Sequence, residues 1–235
     1  MCDSCGCSVT ATTVAPADQM VLKRLLAGND HMADHNREHF AEHGVLVVNL
    51  MSSPGSGKTS LLEATIDALG GEFRIGVIEG DLETENDAER IRAHGVPAVQ
   101  ITTGSACHLD AHMVHDALHE LDLRDLDILF IENVGNLVCP AAFDLGQHRN
   151  VVLLSVTEGD DKPAKYPVMF RAADLVLISK SDLAPFIDDF DPVRAVRALR
   201  GVACAAPVLA LSARRRDALA PWLDWVRAAS QRVPA

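Results

Sequence analysis

The sequence has 235 residues, of which 48% are hydrophobic, and this fits one α/β domain with an N-terminal extension and a large core. The formal net charge of −12 argues against duplex nucleic acid or an anionic membrane as the main partner. No apolar run approaches the roughly 20 residues of a membrane-spanning helix. The first residues lack the basic segment and apolar core of a signal peptide, so we expect a cytoplasmic protein whose six cysteines are thiols or metal ligands.

Three cysteines lie within the first seven residues. Cys2, Cys5 and Cys7, with Gly6 between the last two, could fold around one soft metal ion such as nickel, zinc or copper. A redox pair or an idle tail is the alternative. Small and polar residues follow up to Asp18, so residues 1–18 are predicted to be a metal-binding motif with a flexible linker.

A helical pattern covers Gln19 to His43, and residues 19–44 are therefore predicted to be a helical N-terminal segment that could break at Asn29. Four histidines recur at every fourth position of this segment: His31, His35, His39 and His43. Each pair at that spacing could hold one metal ion on a helix. A solvated polar face explains the same pattern equally well.

The central stretch of the chain is a buried strand, Val45–Met51, followed by a glycine-rich loop. Small residues allow the loop to wrap around an anion, Lys58 can reach the terminal phosphates, and the Thr59 hydroxyl can ligate Mg²⁺. Ser52 departs from the strict pattern, which has glycine there. The predicted nucleotide-binding residues of this loop are Pro54, Gly55, Ser56, Gly57, Lys58, Thr59 and Ser60.

Two further strands end in acidic residues. Asp81 follows the strand Phe73–Ile78, and Glu132 ends the strand Leu126–Glu132. Carboxylates at the carboxyl ends of such strands lie on the ligand-binding edge of an open α/β sheet, where they can hold Mg²⁺ or orient water. We therefore predict Thr59, Asp81 and Glu132 as magnesium ligands, Lys58, Asp81 and Glu132 as catalytic residues, and Gly135 as a sensor of the γ-phosphate.

A second set of cysteines and histidines lies between these strands. Cys107 and His108 are adjacent at a predicted helix start, and helical spacing places His112 on the same face as His108. His115 and His119 share a face in the same way. Cys139 follows on a neighbouring loop, so Cys107, His108, His112 and Cys139 could form one metal site close to the nucleotide. Buried structural thiols are an equally good explanation from the residues alone.

The C-terminal half continues the alternation of strands and helices. Ser179–Asp182 ends a buried strand, and there the Lys180 stem could stack along a purine while Asp182 accepts from the N1–H and 2-amino group of guanine. A helix cap before Leu183 is the alternative. The alternation over residues 45–235 predicts an α/β P-loop NTPase fold, with a mostly parallel, doubly wound sheet and helices on both faces. Trp222 and Trp225 lie on the last predicted helix, as core or subunit contacts.

Several motifs taken together resemble the HypB family, the GTPases that help to insert nickel into [NiFe]-hydrogenases. The motifs are the opening Cys-x-x-Cys-Gly-Cys, Ser-Ser-Pro-Gly-Ser-Gly-Lys-Thr at 52–59, Glu-Gly-Asp at 79–81, Ala-Cys-His-Leu-Asp-Ala at 106–111, Glu-Asn-Val-Gly-Asn-Leu-Val-Cys-Pro at 132–140, Glu-Gly-Asp-Asp-Lys-Pro-x-Lys-Tyr-Pro at 158–167 and Ser-Lys-x-Asp at 179–182.

The resemblance implies a slow GTPase with GTP or GDP, Mg²⁺, Ni²⁺ and Zn²⁺ as ligands. It also implies a homodimer with a metal site at the subunit interface, which maps to Cys107, His108 and Cys139, with His112 in some members. Nickel bound at the opening motif would involve Cys2, Cys5 and Cys7. The implied partners are a HypA-type nickel and zinc chaperone and the hydrogenase large-subunit precursor, and neither nucleic acid nor a membrane is implied.

Three other functions remain possible from the sequence. A urease-type nickel GTPase looks similar in sequence around the glycine-rich loop, but it carries Cys-Pro-His where this chain has Cys139-Pro140-Ala141. The segment Ser179–Asp182 argues against a nucleotide kinase, and the sets of cysteines and histidines argue against a regulatory GTPase without metal. A metal store would show no turnover that depends on Lys58. Only seven residues separate Glu132 from Cys139, which suggests that GTP could bring Cys139 towards Cys107 and His108.

Overall fold

The computed structural model describes residues 16–82 and 85–232, with side chains from residue 25 onwards. Its strands are β1 (Leu46–Met51), β2 (Ile75–Asp81), β3 (Ala98–Thr102), β4 (Ile128–Glu132), β5 (Arg149–Ser155), β6 (Leu175–Ser179) and β7 (Val208–Ala210). Its α-helices are α1 (Pro16–His43), α2 (Lys58–Leu69), α3 (Asn86–Arg92), α4 (Ala111–Leu118), α5 (Lys162–Lys165), α6 (Pro167–Arg171), α7 (Pro192–Gly201) and α8 (Ala220–Ser230).

The seven described strands form one sheet in the order β3-β2-β4-β1-β5-β6-β7, and every neighbouring pair is parallel. β1 and β4 are buried along their whole length, as expected for the centre of a sheet that is covered on both faces. The predicted α/β fold with a parallel sheet is confirmed.

Alternate residues of β1 face two separate cores, because successive side chains of a strand point to opposite faces. Leu46, Val48 and Leu50 pack in the cluster that also contains residues of α2 and α8. Val47 packs in the cluster that contains residues of α1 and α4. The helices therefore cover both faces, and the carboxyl ends of all strands meet at one edge of the sheet.

α1 is one continuous helix, which begins at Pro16 instead of Gln19 and does not break at Asn29. Two buried asparagines of this helix make tertiary hydrogen bonds. Asn29 accepts from the Ala111 amide at 2.9 Å, and Asn36 donates to the carbonyl oxygens of Ala111 and Leu145 at 2.9 and 3.2 Å. These bonds anchor the first turn of α4 to α1.

Trp222 is fully buried and packs between α8 and α2. Its ring stacks on Trp225, with 5.5 Å between the ring centroids, and its indole nitrogen donates to the Thr65 hydroxyl at 2.8 Å. Of the two predicted roles for Trp222, a core contact is the observed one. In the part of the chain that the structure describes, no helix has the length and apolar character needed to cross a membrane.

Candidate nucleotide and metal site

The glycine-rich loop lies at the carboxyl end of β1 and leads directly into α2. Gly55 and Gly57 have φ angles of 71° and 97°, a conformation that glycine adopts without strain, so the loop can curve around an anion. Lys58, the first residue of α2, is only 7% exposed. This loop thus has the geometry of the predicted phosphate-binding loop.

Ser52, the residue that departs from the strict glycine pattern, supports the lysine of the loop. Lys58 Nζ donates to Ser52 Oγ at 3.2 Å, and the Ser56 hydroxyl also donates to Ser52 Oγ. Lys58 Nζ lies 3.8 Å from Glu132 Oε1. The lysine is therefore held in place between a hydroxyl and a carboxylate.

Three carboxylates converge beside the loop. Glu79, Asp87 and Glu132 each place an oxygen within 4.8 Å of the other two, and Thr59 Oγ1 donates to Glu132 Oε1 at 2.9 Å. Burial raises the pKa of Glu132, and burial together with the charge of Glu132 raises the pKa of Glu79. One oxygen of each glutamate, Oε2, is buried without a hydrogen bond among the described residues, so this pocket fits a divalent cation that prefers oxygen ligands.

Sequence reasoning missed Glu79 and Asp87. Glu79 pairs with Glu132 in the register of β2 and β4, so the two acids lie side by side on neighbouring strands. Strand register was the signal that would have identified Glu79. The predicted Asp81 lines the same pocket but is not one of the three converging carboxylates, and its Oδ1 accepts from the Leu82 amide at 2.7 Å.

Two adjoining pockets surround the loop. The first, of about 480 Å³, is lined by eight predicted nucleotide-binding residues: Pro54, Gly55, Gly57, Lys58, Thr59, Ser60, Gly135 and Lys180. The second, of about 180 Å³, is lined by the other two, Ser56 and Asp182. Gly57, Ser60, Lys180 and Arg214 line both pockets. The two pockets therefore adjoin at these four residues.

The loop after β6, which contains Lys180 and Asp182, is hydrogen-bonded to the phosphate-binding loop. Ser179 Oγ donates to the Ser56 carbonyl at 2.7 Å, and Lys180 Nζ donates to the Gly55 carbonyl at 2.6 Å. Lys180 has a φ of 56°, which is uncommon for a residue with a side chain. These contacts fix the lysine beside the second pocket, where Asp182 is half-buried.

Gly135 lies against the phosphate-binding loop. A Cβ atom at this position would be 2.8 Å from the Cα of Pro54, which is closer than side chains tolerate. Only glycine fits this close approach, so the loop that contains Gly135 packs tightly against the phosphate-binding loop.

The same loop continues to the cysteine set. Cys139 Sγ lies 3.1 Å from Cys107 Sγ, and His108 Nδ1 lies 3.8 Å from Cys107 Sγ. One ligand atom from each of the three residues falls within 4.8 Å of the others. The neighbouring Cys107 thiol and burial raise the pKa of Cys139, whereas burial lowers the pKa of His108. The His108 ring stacks on Phe143 at 3.9 Å between ring centroids.

The helix that follows begins later than the sequence predicts. Asp110 caps α4 by accepting from the Met113 amide at 2.9 Å, so the helix starts at Ala111 and His108 lies in the preceding loop. His112, which was expected to share a helix face with His108, is exposed and does not belong to the three-residue cluster. The predicted ligands Cys2, Cys5 and Cys7 lie outside the described residues.

Two asparagines that sequence reasoning missed join the nucleotide loop to the cysteine set. Asn133 Oδ1 accepts from the Leu109 amide at 3.2 Å, and Asn136 Nδ2 donates to the Cys107 carbonyl at 3.2 Å. Gly135 lies between the two in sequence, so one short loop contacts both Pro54 and the backbone around Cys107.

Comparison with known proteins identifies relatives of this fold and site. Residues 46–204 match the family model described as CobW/HypB/UreG, nucleotide-binding domain. Hydrogenase maturation factor HypB of Azotobacter vinelandii is 55% identical over 202 residues, which are 86% of this chain and 66% of that protein, so the chain spans about two thirds of its length. The HypB of Escherichia coli strain K12 is 51% identical, over 86% of this chain and 69% of that protein.

A solved structure shows the same similarity in three dimensions. The crystal structure of HypB from Helicobacter pylori in complex with nickel has a TM-score of 0.84 and 42% sequence identity, and the match covers 88% of this chain and 98% of that chain. The chain therefore belongs to the CobW/HypB/UreG family, and within it to the HypB group.

Proposed function

We propose that this protein is a cytoplasmic, GTP-hydrolysing nickel metallochaperone, which helps to deliver Ni²⁺ to the large subunit of a [NiFe]-hydrogenase. One observation carries the proposal: the loop after β4 lines the phosphate pocket at Gly135 and supplies Cys139 to the cysteine set. A protein that only signals, or only stores metal, has no need for this connection.

Hydrolysis requires positioning and charge neutralisation around the terminal phosphate. Lys58 neutralises phosphate charge, and Lys180 with Asp182 holds the guanine. Asp81, at the carboxyl end of β2, orients the attacking water. Arg90 and Arg214 also line this pocket, and Arg90 is paired with Glu63 and Asp87. A slow intrinsic rate is part of the proposal.

Mg²⁺ fits the buried carboxylates beside the loop, since the unpartnered oxygens of Glu79 and Glu132 need a positive neighbour. Thr59 and Glu132 would hold the ion, with Asp81 or the neighbouring Glu79 and Asp87 as further candidates. When bound, Mg²⁺ neutralises charge on the phosphates.

Nickel is the cargo, and Cys107, His108 and Cys139 are its proposed ligands. The raised pKa of Cys139 keeps this thiol protonated at neutral pH without metal, so metal binding must release a proton. Three ligand atoms leave a four-coordinate ion incomplete, and a second copy of the chain could supply more. This favours a homodimer with the metal at its interface, which Zn²⁺ could also occupy, and His112 as an added ligand.

Nucleotide state would reach the cargo through Gly135 and Asn136. A γ-phosphate orders the loop next to Pro54, and the loop carries Asn136 and Cys139 with it. Hydrolysis then loosens the metal set, so that nickel passes to the hydrogenase precursor. The proposal also includes the exchange of nickel with a HypA-type chaperone. It includes a second nickel site, formed by Cys2, Cys5 and Cys7.

The test measures GTP hydrolysis and nickel affinity on the full chain. Lys58→Ala should abolish turnover, whereas Lys165→Ala, which changes an exposed lysine, should not. Nickel affinity is compared with GDP and with a non-hydrolysable GTP analogue bound. Cys107→Ala should weaken the site that responds to the nucleotide, whereas Cys204→Ala should not, because this buried cysteine packs in a core cluster that contains neither Cys107 nor Cys139.

Three outcomes would each contradict a part of the proposal. GTP hydrolysis that persists in Lys58→Ala would contradict the assignment of this loop to catalysis and would indicate a contaminating GTPase. Equal nickel affinity in the GDP and GTP-analogue forms would show that the nucleotide does not control nickel binding, and would favour a metal store. Replacement of Cys2, Cys5 and Cys7 by alanine should abolish the tightest nickel site, and unchanged stoichiometry and affinity would remove that assignment.

A further inference from the structure

Four histidines from two helices meet at the surface where α1 packs on α4. His35 and His39 lie one turn apart on α1, and His115 and His119 lie one turn apart at the end of α4. The ring centroids are separated by 4.6 Å for His35–His39, 5.1 Å for His35–His115, 5.9 Å for His39–His115 and 5.1 Å for His115–His119. None of these residues belongs to the cysteine set.

The separations of the ring centroids are those of ligands of one ion, but among the described residues no three of these rings each place a nitrogen within 4.8 Å of the others. Imidazoles that bind a tetrahedral ion through nitrogens at about 2 Å have ring centroids about 5 Å apart. Three of the rings contact one another pairwise, and the fourth contacts His115. The rings now meet edge to face or tilted, so binding requires them to turn about their side-chain bonds, while the two helices already hold the backbone positions.

The buried Asn36 prepares His115 for this role. Asn36 is 0% exposed, and its amide nitrogen donates to two backbone carbonyls, so its Oδ1 is available only as an acceptor. His115 Nδ1, at 3.2 Å from this oxygen, must donate, which leaves the lone pair on Nε2 for a metal. An outer hydrogen bond of this type sets the tautomer and ring orientation of histidines that bind metals.

The surroundings favour a cation. A pocket of about 170 Å³ is lined by His39, His43, His115, His119 and Asp122. His43 Nδ1 donates to the His39 carbonyl at 2.9 Å, which leaves its Nε2 free as a further ligand. Burial, and then the nearby imidazoles, lower the pKa of His115.

We propose that His35, His39, His115 and His119 form a second metal site on the folded domain, which takes Ni²⁺ or another divalent ion that prefers imidazole, such as Zn²⁺. Imidazole ligands suit these borderline ions, whereas Mg²⁺ prefers oxygen. The site does not depend on GTP hydrolysis or on the thiols. It provides a place on the chain where an ion can be held apart from the nucleotide-controlled cysteine set.

The test uses the full chain with Cys2, Cys5, Cys7, Cys107 and Cys139 replaced by alanine, and titrates it with Ni²⁺ and with Zn²⁺ by calorimetry. We expect one ion per chain, and a loss of affinity of about tenfold or more when His39→Gln and His115→Gln are added. The matched control is His31→Gln with His94→Gln, which changes two histidines outside the cluster and should leave the affinity unchanged. Circular dichroism checks that each variant is folded.

A second measurement needs no substitution. Diethylpyrocarbonate modifies accessible histidines, and mass spectrometry of peptides locates the modified residues. Zn²⁺ should protect the four histidines of the cluster and leave His31 and His94 reactive. Three results would overturn the site and indicate scattered surface binding. They are an unchanged metal affinity after His39→Gln and His115→Gln, an equal loss of affinity in the control variant, and uniform protection of all histidines.

Discussion

Asp182 lies beside the base-side pocket, and its carboxylate can accept from two neighbouring N–H groups of guanine. Asp182→Asn exchanges one acceptor oxygen for a donor, so it should weaken GDP binding by about tenfold or more, at about 1.5–3 kcal/mol for a hydrogen bond to a charged group. The same change should improve binding of xanthosine diphosphate, whose 2-carbonyl can accept from the new amide. Both affinities are measured by calorimetry.

The matched control for this prediction is Asp188→Asn, which makes the same chemical change at an exposed position. It should alter neither affinity. If Asp182→Asn leaves the ratio of the two affinities as it is in the unchanged protein, Asp182 does not select the base.

Residues at the phosphate-binding loop illustrate what the sequence could and could not predict. The sequence predicted Thr59 and Glu132 as two ligands of one Mg²⁺, and the structure places them within hydrogen-bond distance at 2.9 Å. Glu79 was not predicted as a site residue, because its position beside Glu132 depends on the register between β2 and β4, which no local pattern encodes. The role of Ser52 could not be predicted either, because its hydrogen bond with Lys58 depends on where the Lys58 side chain lies in the folded chain.

At the scale of elements, α8 is fastened to α2 by a hydrogen bond in the core. The indole nitrogen of Trp222 donates to Thr65 Oγ1 at 2.8 Å, and both side chains are fully buried. Thr65→Val keeps the side-chain volume but leaves the indole N–H without its acceptor. We expect a loss of about 1–3 kcal/mol in the free energy of unfolding, measured by urea denaturation followed by circular dichroism.

Thr102→Val is the matched control, because Thr102 is exposed at the end of the edge strand β3. Valine there should change the stability by no more than about 0.5 kcal/mol. Equal stability of the two variants would show that the buried bond contributes nothing measurable.

Element boundaries were predicted where local chemistry decides them. The start of α2 follows from the loop motif, and the strands were recognised from their apolar runs. The boundary of α4 was wrong because Asp110, and not a residue before Cys107, caps the helix. α1 was predicted to break at Asn29, but the helix continues and the Asn29 side chain bonds to residues 111 and 144. Only the tertiary partners could reveal that difference.

For the whole molecule, the order of the strands explains why the two sites are neighbours. β1 and β4 pair at the centre of the sheet, so the phosphate-binding loop and the loop after β4 leave the same edge side by side. Gly135 contacts the first loop, and Asn136 contacts the backbone of Cys107. Motifs predicted both sites and placed them on neighbouring loops, but the amide that joins them could only be found in the folded chain.

The connection through Asn136 can be tested by removing its donor alone. In Asn136→Asp, the remaining oxygen still accepts from the Val138 amide, a bond of 2.8 Å, while the bond to the Cys107 carbonyl is lost. If this bond transmits nucleotide state, the ratio of nickel affinities between the GTP-analogue and GDP forms should fall by up to about fivefold, the equivalent of about 1 kcal/mol. Taking the ratio cancels any effect of the substitution on nickel binding that is common to both forms.

Asn86→Asp adds the same charge at an exposed position on the first turn of α3 and should leave the ratio unchanged. GTP hydrolysis without nickel should be similar in both variants, because Asn136 does not line the phosphate pocket. An undiminished ratio in Asn136→Asp would mean that nucleotide state reaches the cysteines by another route. The bond from the Leu109 amide to Asn133 and the direct continuation of the chain from Gly135 to Cys139 would then be the remaining paths among the described residues, and Asn133→Asp would be the next variant to measure.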